Sequence, residues 1–370
     1  MCEGGIYPDE KEKNNLINSK SQISINTFRI KYFDILRLIS SYAIIIIHVS
    51  SRYNSLNCKT YNYKIAFFYN GVSRFGVPIF FMISGALFLS KDIPFGKIFK
   101  KYMHRLLIHL ISWSFIYSLY SIKYSNFNPD KIIIIFFSGY YHFWYLYATI
   151  QLYIIVPFLR EIVKKELLLK AFIKLSFVFT FLFPYFIIIK SFCNPLLSKI
   201  INTIYLKWKN NYLSGTIFYF IYGYYLNNSV NNCIYKKFFF YFLGLIGFSF
   251  IFIFYYISVK NQRSMIPFYF RAINLNIFAY STGIFISFKQ NFNNISINYM
   301  KYIRKISSYT FGIYLIHPMI IRVIRGRNDR FLSSFNLLYK IPLMSLIIFI
   351  FSFMISIIIK YLPFIGNWLV

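Results

Sequence analysis

Runs of about twenty apolar residues recur along this chain, and no other feature narrows its fold so far. Residues 339–361, YKIPLMSLIIFIFSFMISIIIKY, form one such run. A helix needs about 20 residues to cross roughly 30 Å of hydrocarbon. In that medium each backbone N–H and C=O must find its partner within the spanning structure, which leaves helices or closed barrels. The runs are built of Ile, Phe, Leu and Tyr without alternating polar positions, so they read as helices. Ten candidate spans result: 33–50, 65–90, 106–125, 143–160, 171–190, 213–227, 237–258, 268–287, 306–323 and 339–361. The sixth is short and the eighth carries Arg271.

Composition agrees. At 370 residues, 58% hydrophobic, with 23% aromatics and a mean hydropathy of +0.52, the chain has more apolar surface than a soluble domain of its size can hide. The formal net charge of +31 invites a nucleic-acid reading. Ile, Phe, Asn, Tyr and Lys are enriched together, however, as an AT-rich genome would encode, so the basicity is read as compositional and no nucleic acid is expected as a partner. Lys and Arg are more numerous in the loops that lie inside if the N-terminus is cytoplasmic, among them 91–105 and 160–174. The positive-inside rule thus favours both termini in the cytoplasm, in a cell (inner) membrane. Residues 1–27 are polar and mixed in charge with no apolar run, and read as a disordered cytoplasmic tail ahead of one transmembrane domain over 28–370. Cys2, Cys58, Cys193 and Cys233 show no metal-ligand spacing, so no metal is expected; Cys58 and Cys193 would both lie in outside loops and are placed to pair.

The first span, FDILRLISSYAIIIIHVS, carries Asp34, Arg37 and His48. Ionisable groups at membrane depth are expensive and mark functional sites by default. At about 100° per residue, the step from Arg37 to His48 is about 20° past three full turns, and Asp34 falls roughly 60° from Arg37. All three then project from one stripe that also holds Ser41 and Ile45. Asp34 and Arg37 could equally be an ion pair at headgroup level, and His48 a hydrogen-bonded packing residue. Read functionally, the stripe lines an internal polar cavity, and the expected fold is all-α: a polytopic membrane protein, a bundle of about ten transmembrane helices around that cavity.

Further polar features sit in other spans. GVPIFFMISGALFLS places Ser84 and Gly85 in an apolar run, either as a close helix contact or as part of a site. Arg74 just before it is a cation at membrane depth that needs an anionic or carbonyl partner. After this span, Lys97, Lys100, Lys101, His104 and Arg105 form a basic loop that is either a solvated inside loop or a phosphate-holding cluster; no Walker loop or GxGxxG turn accompanies it. The fourth span opens on His142, Trp144 and Tyr145, which read as an interfacial aromatic belt, and continues to Gln151 and Pro157, which suggest a cavity. In the ninth, Tyr314 and His317 share a face, and Pro318 frees a backbone carbonyl beside them.

Four blocks in order, FDILRLISSYAIIIIHVS, GVPIFFMISGALFLS, HFWYLYATIQLYIIVPFLR and SSYTFGIYLIHPMI, resemble the acyltransferase 3 family of integral-membrane acyltransferases over roughly residues 28–360. The resemblance implies acylation, chiefly O-acetylation, of cell-surface carbohydrates from an acyl-CoA donor supplied by the cytoplasm. The family's arginine, ten residues and histidine fall on Arg37 and His48, with its preceding aspartate at Asp34. Its FFxxSG falls on Phe80, Phe81, Ser84 and Gly85, and its YxxH on Tyr314 and His317. Its basic RxxR-like stretch is poorly kept as KYMHR, from Lys101 to Arg105.

The implied assignment is His48, Arg37 and Asp34 as catalytic, with Ser84, Arg74, Trp144, Tyr314 and His317 toward the substrate and Lys101 and Arg105 toward the donor. No bound cofactor is expected; acyl-CoA serves as co-substrate, and a surface polysaccharide or lipid-linked glycan accepts the acyl group. His48 would draw the proton from a sugar hydroxyl as it attacks the thioester, a task suited to an imidazole near pH 7. Passage of an acyl group on histidine is a second route. A glycan exporter or flippase, whose polar seam lines a path and makes no bond, is the alternative from a different class.

Overall fold

The computed structural model describes residues 30–122, 129–183, 196–200, 203, 215–228, 234–261, 270–292, 297–327, 335–363 and 366–369, and every element among them is helical. The tail over 1–27, Cys2, Cys193 and Cys233 lie outside the described residues, and with Cys193 the partner considered for Cys58. In chain order the main helices are α1 (Lys31–Ser50), α2 (Tyr61–Ser73), α3 (Gly76–Leu89), α4 (His104–Ile122) and α5 (Pro129–Ser138). Next come α6 (Trp144–Lys164), α7 (Glu166–Phe177), α8 (Thr216–Asn228) and α9 (Ile234–Lys260). The last four are α10 (Leu275–Asn291), α11 (Ile297–Ser307), α12 (Thr310–Arg327) and α13 (Leu337–Lys360).

Among the described residues, five helical stretches are long and apolar enough to cross a membrane: Lys31–Tyr53, Tyr61–Leu89, Trp144–Lys164, Lys237–Lys260 and Leu337–Lys360. The chain is thus an all-α, multi-pass membrane protein. A helix occupies each of the other expected spans as α4, α7, α8, α10 and α12, but none meets the same length and hydropathy, so the fold does not establish ten crossings. The second stretch is 61% buried and the fourth only 17%, which puts α2 and α3 inside the bundle and leaves α9 a broad outer surface.

α1 is the hub. It packs against α2, α3, α10, α11, α12 and α13, so the polar groups on its stripe meet protein rather than lipid. α3 and α8 approach until their backbones touch. A Cβ added at Gly85 would overlap the Phe220 carbonyl, and one at Gly223 would overlap the backbone of Met82. Small residues permit such contact where lipid supplies no hydrophobic drive between helices.

Side chains satisfy several helix ends. The Thr60 hydroxyl accepts from Tyr63 N at 3.2 Å to start α2, and the Asn336 carbonyl oxygen accepts from Leu338 N at 3.0 Å to start α13. Arg160 donates from Nε and Nη2 to the Phe88 carbonyl at 3.2 and 2.9 Å, and from Nη1 to the Ile93 carbonyl, beyond the end of α3. Lys289 Nζ donates to the Leu226 and Asn227 carbonyls at 2.9 and 2.7 Å at the end of α8. Each cation meets orphan carbonyls at the negative pole of a helix.

Two helices arise where the sequence reads as loop. α5 exposes Ile133, Ile134 and Phe137, and α11 turns Met300 and Ser307 inward while Tyr299 and Tyr302 face out. α11 is a short amphipathic helix whose last residue reaches into the centre of the bundle.

Candidate active site

Asp34 is 0% exposed, so its carboxylate is enclosed by protein. Its Oδ1 accepts from Arg37 Nη1 at 3.0 Å and from Ser307 Oγ at 3.0 Å, which joins α1 to the end of α11. A buried carboxylate is tolerable only when paired and hydrogen-bonded in this way. The Arg37 side chain retains 24% exposure and opens onto a cavity of ≈ 210 Å³.

His48 opens onto the same cavity, three turns further along α1. Ile44 lies on the wall between them, with Val77, Phe80 and Ser84 from α3. The opening of α6 adds Trp144 and Tyr145, and α12 adds Thr310, Phe311 and Tyr314. Arg37 and His48 thus face one space lined by four helices, while Asp34 stands off the lining and bonds Arg37 and Ser307. Ser84 and Gly85 divide their expected roles: Ser84 borders the cavity while Gly85 makes the contact with α8.

His317 sits behind this wall with its ring 5.3 Å from that of His48, centroid to centroid. Pro318 lies inside α12 and has no N–H for the Tyr314 carbonyl four residues before it. His317 Nδ1 takes that acceptor at 2.7 Å and also lies 3.2 Å from the Ile313 carbonyl. Two carbonyls at Nδ1 require the proton there, so Nε2 carries the lone pair. Nε2 is buried and makes no hydrogen bond. The sequence signal was the proline; the tautomer follows from the geometry.

A third histidine was read from sequence as part of an aromatic belt. His142 is instead 3% exposed and lines the cavity, 5.6 Å from the His317 ring and 5.3 Å from that of Tyr314. Its carbonyl accepts from the Tyr314 hydroxyl at 2.5 Å. Gly139, at φ 73°, supplies the left-handed turn that brings the segment inward. Three of the protein's five histidines thus meet at one place. No cluster of His, Cys, Asp or Glu among the described residues has the arrangement of a metal site.

Besides Asp34 and His317, which touch residues of the lining, three more expected site residues are not on it. Arg74 stands at the break between α2 and α3 and donates from Nε and Nη2 to Asn70 Oδ1 at 2.8 and 2.6 Å, the carbonyl partner its depth demanded. Asn70 Nδ2 in turn donates to the Ile47 carbonyl at 3.3 Å, Ser50 Oγ at 3.0 Å and Ser51 Oγ at 3.1 Å, tying this break to the end of α1. Lys101 lies in the π-helical turn Ile98–Met103 and Arg105 at the start of α4, both exposed. Tyr102, in the same turn, lies with its ring 6.5 Å from that of Tyr153 on α6.

The arrangement offers a cation fixed by a buried carboxylate, an imidazole facing a largely apolar space, and a second imidazole of defined tautomer behind it. Those are the parts of a base and a charge stabiliser for attack on a carbonyl. Compared with known protein families, the chain matches the acyltransferase domain over residues 30–362, which takes in the whole of this site. No curated protein and no solved structure matches it.

Proposed function

Because this chain belongs to the acyltransferase domain family and is a membrane-embedded transferase of acyl groups other than aminoacyl groups, we propose that it moves an acetyl group from acyl-CoA to a hydroxyl of a cell-surface or lipid-linked glycan. The observation that carries this reading is the shared cavity: Arg37 and His48 open onto one space, and His317 abuts His48 from behind.

His48 takes the proton of the attacking hydroxyl as its oxygen bonds to the thioester carbonyl carbon. Negative charge then develops on the carbonyl oxygen, and Arg37, held by Asp34, faces the space where it forms. Stabilisation of that kind contributes about 3 to 4 kcal/mol in acyl transfer. Collapse of the intermediate breaks the carbon–sulfur bond and leaves the acyl ester and the CoA thiolate, and the proton taken from the hydroxyl is returned to the sulfur to give the thiol. His317, with Nε2 unprotonated, supports His48 as a second proton carrier.

The basic turn with Lys101 and Arg105 is the donor's side in this reading, supported by its exposed cations, which suit the phosphates of acyl-CoA. With both termini in the cytoplasm of a cell (inner) membrane, Asp34 and Arg37 lie toward the cytoplasmic half and His48 toward the far half. Donor then arrives from within the cell and acceptor from the opposite face or the bilayer.

The test is acyl transfer in proteoliposomes with radiolabelled acetyl-CoA and the host's surface-glycan fraction. Alkali-labile label on glycan is expected with the wild type and is lost with His48→Ala. Wild-type protein that leaves the donor intact while carrying glycan across the vesicle would replace this reading with export.

A further inference from the structure

The mechanism above uses two of the three histidines that meet at the cavity. His142 is exposed to the same space as His48, and His317 lies against both rings, at 5.3 and 5.6 Å between centroids. His317 Nε2 and the two His142 ring nitrogens make no hydrogen bond in the structure, and at such separations a turn of the flanking rings brings imidazole nitrogens within roughly 3 Å of each other, hydrogen-bonding distance. His317 has Nδ1 committed to the Tyr314 carbonyl and a buried Nε2 lone pair. A neutral imidazole so placed can accept a proton at Nε2 from one neighbour and return it from the same atom to the other.

His142 itself is held by its backbone rather than by its ring. Its carbonyl accepts from Tyr314 Oη, and the turn at Gly139 fixes the segment's direction. Neither ring nitrogen makes a hydrogen bond of normal geometry, and the Leu315 carbonyl that faces the ring already accepts from Tyr117 Oη at 2.8 Å. A buried imidazole whose ring nitrogens lack a well-formed hydrogen bond, on the wall of a cavity, is suited to a group that arrives with the substrate.

We infer that His142 is a catalytic residue of the acyl transfer proposed above: the acid that protonates the departing thiolate and is recharged by His48 through His317. In this cycle the acceptor hydroxyl gives its proton to His48 as the oxygen–carbon bond forms. The carbon–sulfur bond breaks, and the thiolate takes the proton of His142. The proton on His48 then passes to His317 Nε2 and on to His142, so no proton is gained or lost overall.

The inference rests on the acyl-transfer reading, and one set of assays separates the two. Wild type, His142→Gln, His142→Asn and His48→Gln are reconstituted and compared by kcat/KM with acetyl-CoA and with an aryl thioester of acetate. An aryl thiolate is a good leaving group without protonation. With acetyl-CoA both His142 variants should lose on the order of 10²–10⁴-fold, the usual size of an acid–base contribution. With the aryl thioester they should recover to within about tenfold of wild type, while His48→Gln stays inactive with both donors. Equal losses of the His142 variants with both donors, or no loss with acetyl-CoA, would overturn the role assigned to His142 and leave the transferase reading standing. Wild type inert to both donors would overturn the transferase reading, and this role with it.

Discussion

Pro318 acts by what it lacks. Its missing N–H leaves the Tyr314 carbonyl to His317 Nδ1, which sets the tautomer of an imidazole abutting the cavity. Pro318→Ala restores a competing donor, so kcat should fall about tenfold with KM little changed, while thermal stability in detergent holds or rises because the helix regains a hydrogen bond. A fall in stability with kcat intact would show the proline to be structural alone. At this scale the sequence was legible wherever one helix carried the information. The spacing of Asp34, Arg37 and His48 fixes their shared face through helical period, and the Tyr314–His317 pair follows likewise. His142 was not legible, since its inward placement depends on a left-handed turn at Gly139 and on a hydroxyl 172 residues away in sequence. Arg74 was legible as needing a carbonyl partner, but not that Asn70, one turn back, would supply it.

Among the helices, the closest packing lies beside the site rather than in it. Ser84 borders the cavity and Gly85, its neighbour, lets α3 touch α8. Gly85→Val would drive a side chain into the Phe220 carbonyl; overpacking of this kind destabilises by about 1–3 kcal/mol or more. A lowered unfolding temperature is the expected result, together with lost transfer, whereas Ser84→Ala should lower transfer with the unfolding temperature unchanged. Similar unfolding temperatures for Gly85→Val and wild type would contradict the tight contact. The sequence offered helix contact and site as rival readings of this dipeptide. Both hold because neighbouring helical residues point about 100° apart. α11 escaped notice because its charged and tyrosine face makes it polar on average, although its other face packs on α1.

For the molecule as a whole, membrane residence was written in composition and in the length of the apolar runs, and the helical class followed from the solvent. The number of crossings was not. α8, with 13 residues, and α10, with 17, are too short to declare themselves by length, and their place comes from partners such as α3 and α9. Asp34 has a wider reach than its ion pair suggests. It binds Ser307 at the near end of α1, and His48 rides on the same helix about 21 Å further along. With α1 taken as a rigid arm about that bond, a tilt of about 3° would carry the imidazole about 1 Å, enough to change a reaction rate by roughly a hundredfold. A hydroxyl far from the chemistry thus bears on the gap between two rings, and Ser307→Ala should lower kcat in the acyl-transfer assay although every side chain that touches substrate is still present.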